Sequence, residues 1–208
     1  MEYIDTTINQ WCLNKTNEEG YKAFRDYYNK SKNPLDLYIL MCFSFNYQFR
    51  FNSNHDYNNP FGKNRSSFND VMRNNLIIFK GRIEDIHFSS FDFLDFDYDV
   101  LKAGDFIYAD PPYLLTCGSY NDGKRGFRGW TGHDDIELFR ILTELSDRGV
   151  NFALSNVIEH KGLTNCNLAD WADTNGYFIH SINFNYNNCN YHTNNKTNVT
   201  REVLITNY

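Results

Sequence analysis

Only four prolines occur in this chain of 208 residues, and two of them, Pro111 and Pro112, stand side by side. They follow a short apolar run, Phe106-Ile107-Tyr108-Ala109, and one aspartate, Asp110. An apolar run bounded by such a breaker reads as a buried strand. Proline fixes φ and has no N–H to give to a sheet, so the strand ends at Ala109 and the backbone turns through Asp110-Pro111-Pro112-Tyr113. In open α/β sheets this carboxyl end of the strands is where ligands bind. The turn leaves carbonyls and the Asp110 carboxylate as acceptors, with the flat ring of Tyr113 beside them. That combination suits a planar group carrying an exocyclic amine. A rigid turn with a capping aspartate is the plainer alternative.

The rest of the chain alternates helical and strand patterns. Residues near 18–30 and 34–45 have helical spacing, with Pro34 as a first-turn proline after Asn33. From Phe45 to about Phe68 the sequence is rich in Asn, Ser and Gly and reads as a loop carrying basic residues. Residues 75–80 (Asn-Leu-Ile-Ile-Phe-Lys) read as a strand, as do residues 105–109. Residues 134–148 form an amphipathic helix closed by Gly149. Residues 150–154 follow as a strand, and Ser155-Asn156 opens a loop. Residues 168–174 are helical, and residues 177–184 and 202–206 resemble a final hairpin around a polar, Asn-rich loop. Strands alternating with helices point to an α/β sheet.

Hydrophobic content is 41% and aromatic content 17%, enough for one packed domain or one domain with an insertion. The net charge of −6 argues against a protein that coats nucleic acid indiscriminately. Yet from Gln48 to Arg82 six basic residues (Arg50, Lys63, Arg65, Arg73, Lys80, Arg82) face only Asp56 and Asp70. Lys124, Arg125 and Arg128 form a second basic group in a Gly-rich stretch just past the proline pair. These are either ordinary solvated surfaces or one side of the molecule turned toward a polyanion. Five cysteines, an odd number without a CxxC pair, fit a reducing cytoplasm. Cys189 and His192 have ligand-like spacing but no second pair, so no metal is expected. The sequence has no signal-peptide pattern, and its longest apolar stretch, Leu37 to Phe43, is far too short to span a bilayer.

Four segments in register resemble the Dam-type DNA adenine-N6 methyltransferase family. One is Asp110-Pro111-Pro112-Tyr113. The second is Phe45-Asn46, Arg50, Asn52 and Tyr57-Asn58-x-Pro60-Phe61-Gly62, similar to that family's target-recognition segment. The third lies around Gly149-Val150 and Ser155-Asn156, and the fourth is Glu202 to Tyr208. The resemblance implies a partial Rossmann-like methyltransferase sheet with an inserted DNA-recognition segment. Residues 1–74 are then the helical and loop target-recognition region, and residues 75–208 an incomplete α/β catalytic domain.

The same resemblance implies S-adenosylmethionine as cofactor and double-stranded DNA as substrate, with the target adenine flipped out of the duplex. Asp110, Pro111, Pro112 and Tyr113 are the expected catalytic group. Asp110, Arg82 and Ile83 are the expected cofactor contacts from this chain; Gly81-Arg82-Ile83 stands where the family often has an acidic residue. Phe45, Asn46, Arg50, Asn58, Pro60, Lys124, Arg125 and Arg128 are the expected DNA contacts, with Arg50 placed to read guanine. Where the family has Asn-Gly, this chain has Asn46-Tyr47. The family's FxGxG cofactor loop has no counterpart here, and its absence is expected to open a gap in the middle of the sheet. A second polypeptide carrying that loop is the expected partner. A catalytically silent DNA-binding or regulatory protein is the alternative.

Overall fold

The computed structural model describes residues 1–116, 129–182 and 200–208. The chain divides into two compact units, Met1–Ser90 and Phe91–Tyr208.

The first unit is helical. Helix α1 (Glu2–Gln10) is followed by α2 (Glu18–Ser31) and α3 (Pro34–Phe43). Asn17 caps α2 by accepting from Gly20 N, and Asn33 caps α3 by accepting from Leu35 N, with Pro34 in the first turn as its fixed φ favours. Tyr21, Phe24, Ile39 and Leu40 are fully buried and form the core with Ile4, Leu13, Tyr28 and Tyr57.

The expected strand at residues 75–80 is instead the second half of helix α4 (Asp70–Arg82). Signals at both ends outweigh the β-branched pair in its middle. Asn69 accepts from Met72 N at 3.0 Å, Asp70 lies in the first turn, and Lys80 and Arg82 lie in the last. Met72 and Leu76, four residues apart, pack on the helical core. Ile77, Ile78 and Phe79 are left exposed. Arg73 is ion-paired with Asp5 of α1 and lies 5.1 Å from the Phe68 ring.

The second unit is α/β. Its strands are β1 (Phe106–Ala109), β2 (Asn151–His160), the short β3 (Leu163–Thr164), β4 (Phe178–Ile182) and β5 (Thr200–Thr206). The order is β1-β2-β5-β4, with β3 added to β2. β1 runs parallel to β2, and β5 is antiparallel to both β2 and β4. Helices α5 (Gly132–Asp147) and α6 (Cys166–Thr174) pack Leu138, Phe139, Leu142, Leu168 and Ala172 against Phe152, Leu154, Val203 and Ile205. The Asp134 carboxylate accepts from Thr131 N and Oγ1, a capping box that fixes the start of α5. Gly149, at φ +80°, turns the chain from α5 into β2.

Two sequence expectations are corrected here. Ser155 and Asn156 do not open a loop: β2 continues through them to His160. Among the described residues the sheet also has no gap in its middle, because residues 75–80 are helical, and it ends on one side at β1, whose Phe106 and Tyr108 are 54% and 59% exposed. Among the described residues no helix is long and apolar enough to cross a membrane.

Candidate active site and nucleic-acid surface

Register determines what lies at the end of β1. Ala109 pairs with Leu154 of β2, so the next step sets Asp110 level with Ser155. The two prolines stop the strand there, and Tyr113 folds back toward the sheet. Its hydroxyl donates to Asp110 Oδ1 at 3.0 Å and lies 2.8 Å from Ser155 Oγ. Burial pushes the Tyr113 phenol up to about 12, with the Asp110 carboxylate adding to the rise and Ser155 opposing it. The phenol therefore stays protonated and able to donate at physiological pH. Asp110 itself is exposed and forms no ion pair among the described residues.

Beside Asp110 lies a cavity of about 310 Å³ between β1 and α5. Asp110, Pro111 and Pro112 form part of its wall, and Ile107, Leu138, Ile141 and Leu142 line it further. Phe93 and Trp130 complete it with ring centroids 5.3 Å apart. Trp130 is anchored: its Nε1 donates to Asp135 Oδ1 at 2.8 Å, and Asn165 Nδ2 donates to the other oxygen at 3.1 Å. Burial raises the Asp135 carboxyl above its ordinary value, against the lowering effect of those two donors. The cavity is apolar and aromatic with one exposed carboxylate beside it, a setting suited to a flat heteroaromatic ring.

The first unit brings five of the expected DNA contacts into one loop. Phe45 N donates to Pro60 O at 2.8 Å, and Asn58 N to Arg50 O at 2.9 Å. Phe45, Asn46, Arg50 and Pro60 are exposed, and Asn58 is partly buried. Bridges between Ser44 and Phe61 and between Phe51 and Tyr57 close the loop at two levels. Arg82 ends α4 and Ile83 is its C-cap, so neither follows a strand as the resemblance implied. Lys124, Arg125 and Arg128 lie outside the described residues, as do Cys189 and His192.

Sequence reasoning gave no site role to Ser155, Phe93, Trp130 or Asn59. Ser155 was hidden by the expectation that β2 ends before it. Trp130 and Phe93 carried no motif. Asn59 is one asparagine among many, yet it is buried and donates from Nδ2 to Phe45 O and Gln48 O, both at 3.0 Å. Among the described residues no cluster of His, Cys, Asp or Glu could hold a metal ion.

Comparison with known proteins bears on both units. Residues 2–196 match the family of D12 class N6 adenine-specific DNA methyltransferases. The chain is 49% identical, over its whole length, to the modification methylase StsI of Streptococcus sanguinis. It is 48% identical over 99% of its length to the type II methyltransferase M.FokI of Planomicrobium okeanokoites. It is 35% identical over 99% of its length to the modification methylase LlaI of Lactococcus lactis subsp. lactis. The chain spans 32%, 32% and 31% of these three relatives, about a third of each.

Proposed function

Since this chain belongs to the D12 class of N6 adenine-specific DNA methyltransferases, we propose that it supplies the catalytic carboxylate and the target-recognition loop of an enzyme that methylates adenine N6 in double-stranded DNA. The observation that carries this reading is the exposed Asp110, held by Tyr113 at the end of β1 and beside an apolar cavity of about 310 Å³.

Methyl transfer in this family draws on S-adenosylmethionine. The cavity beside Asp110 suits the adenine half of that molecule, with Phe93 and Trp130 offering aromatic faces. When bound, the cofactor supplies a methyl group on a sulfonium, a strong electrophile with a neutral leaving group. The chain's own residues prepare the nucleophile. The N6 amine of adenine is weak because its lone pair is delocalised into the ring. Asp110 accepts one N6 hydrogen and the Pro111 carbonyl accepts the other. Those bonds favour a tetrahedral nitrogen with its lone pair free, and they stabilise the positive charge that develops there during in-line attack; the sulfur would leave as a neutral thioether, and N6 loses one proton to solvent after the methyl arrives. Pro112 holds the turn rigid. Tyr113 stacks on the flipped base while its hydroxyl fixes the Asp110 carboxylate. No covalent enzyme intermediate is needed. Extruding the base from the duplex costs a few kcal/mol, which contacts from Phe45, Asn46, Arg50, Asn58 and Pro60 offset. Lys124, Arg125 and Arg128 add phosphate contacts.

The glycine-rich cofactor loop is supplied by a segment outside these residues, on a second polypeptide or elsewhere in the same protein, that adds to the open edge of the sheet. The exposed Phe106 and Tyr108 on β1 support this, because an unpaired apolar edge strand is otherwise prone to aggregation. The test is co-expression with a polypeptide carrying FxGxG, followed by transfer of tritiated methyl groups to duplex DNA. Transfer that requires both polypeptides and an intact Asp110 is the expected result. A lone chain that is a stable, cooperatively melting monomer and binds the cofactor by itself overturns the two-polypeptide reading. A co-expressed pair that binds DNA but transfers no methyl group marks the chain as a silent binding module.

A further inference from the structure

The loop of residues 44–62 holds its backbone where its own residues do not favour it. Asn46 and Tyr47 both have left-handed φ values, 54° and 53°. Asparagine tolerates that region through local hydrogen bonds, but tyrosine does not. The conformation is held from beneath. Asn59, only 2% exposed, donates from one nitrogen to the carbonyls of Phe45 and Gln48, and the Tyr57 hydroxyl donates to Gln48 O at 3.0 Å. While those carbonyls are held by buried donors, the rings of Phe45, Tyr47 and Phe49 remain 39%, 41% and 55% exposed.

The surroundings indicate what these rings meet. Arg65 places its guanidinium 5.5 Å from the Phe45 ring centre, and Arg50 is exposed one residue beyond Phe49. No acidic residue occurs between Asp36 and Asp56, and Asp56 is paired with Lys32 at 3.1 Å. Three rings among cations, with no free carboxylate close in sequence, complement a polyanion that also has flat apolar faces. Nucleic acid is such a partner, through its phosphates and its stacked bases.

We propose that Tyr47 is a stacking residue that enters the base stack of bound duplex DNA, and that Asn59 is the positioning residue that presets its strained turn. This rests on the reading of the loop as DNA-facing and adds two residues that reading does not use. Stacking accounts for the strain at Tyr47: glycine would relax the backbone but has no ring to insert.

The experiment is fluorescence anisotropy of the full chain on a labelled duplex of random sequence, across a salt series, alongside thermal melting. Tyr47→Gly is expected to raise the melting temperature, weaken binding about tenfold, and leave the salt slope unchanged. Tyr47→Phe is expected to bind as the parent does. Asn59→Ala is expected to weaken binding in the parent but to add nothing in a Tyr47→Gly background, a coupling that a purely structural role does not give. Parent-like affinity in Tyr47→Gly, while Arg50→Ala weakens binding, overturns the proposal and leaves the DNA reading standing. A parent chain with no affinity for duplex DNA overturns both.

Discussion

The Tyr113 hydroxyl stands 2.8 Å from Ser155 Oγ, so the turn that carries Asp110 is fastened to the neighbouring strand rather than left free. The same hydroxyl donates to Asp110, so Tyr113 both orients the carboxylate and anchors its loop. Tyr113→Phe keeps the ring and removes both bonds. In the complemented enzyme it is expected to slow methyl transfer more than it weakens DNA binding, measured as a kcat loss with little change in Kd.

Tyr113 also gives a pH dependence. Its folded-state value of about 12 lies above the ordinary 10.0, chiefly through burial. For an acid shifted upward the fold favours the protonated form. Its contribution to stability is complete below pH 10 and is lost as pH climbs toward 12. A difference titration by tyrosine absorbance, parent minus Tyr113→Phe, should show one phenol ionising above the main group.

Asp110→Ala removes the acceptor proposed for N6. Losing one such preorganised group typically costs about 10²–10³ in rate, so methyl transfer by the complemented enzyme should fall at least that far. DNA affinity should be unchanged. Retained turnover in a tritium assay removes Asp110 from the mechanism.

Asp135 accepts from Asn165 and from Trp130, a residue of the cavity wall. Asp135→Ala strands the buried Asn165 amide and the partly buried Trp130 N–H and should destabilise the second unit by about 1–3 kcal/mol, read by urea denaturation. The raised carboxyl means that this group favours the fold most below its ordinary 3.8 and progressively less as pH rises through its higher folded value. Asp135→Asn should therefore flatten the fall in melting temperature over that window.

Arg73 counts toward the basic stretch of the sequence, yet the fold pairs it with Asp5. Arg73→Gln should leave the salt slope of DNA binding unchanged. Arg50→Gln, which removes an exposed cation, should reduce the slope by about one.

The open edge makes its own prediction. A lysine on an edge strand suppresses edge-to-edge pairing. Tyr108→Lys should reduce self-association of the lone chain in light scattering and, at the same time, block complementation by a polypeptide that adds a strand there.

How much was legible from sequence depended on how local the signal was. Asn33-Pro34 and the run ending at Asp110-Pro111 carry their own punctuation, and the fold follows them. The C-terminal hairpin was also readable, because both of its strands lie beside glycine or polar breakers. Residues 75–80 misled because Leu-Ile-Ile-Phe looks like a strand within its own window, whereas the helix is set by Asn69 before it and by Met72 and Leu76 packing on one side. Ser155 was obscured for the opposite reason: a polar pair inside a central strand mimics a loop, and only the partners on β1 and β5 reveal that the strand continues. Asn59 gave no sign at all, since its role depends on carbonyls 14 and 11 residues away.

The strand that leads into Asp110 lies at one edge of the sheet formed by the described residues, so an edge able to take a further strand and the exposed carboxylate stand side by side. On the proposed reading, docking and activation are then a single event: a strand that zips onto β1 finishes the pocket in the same motion.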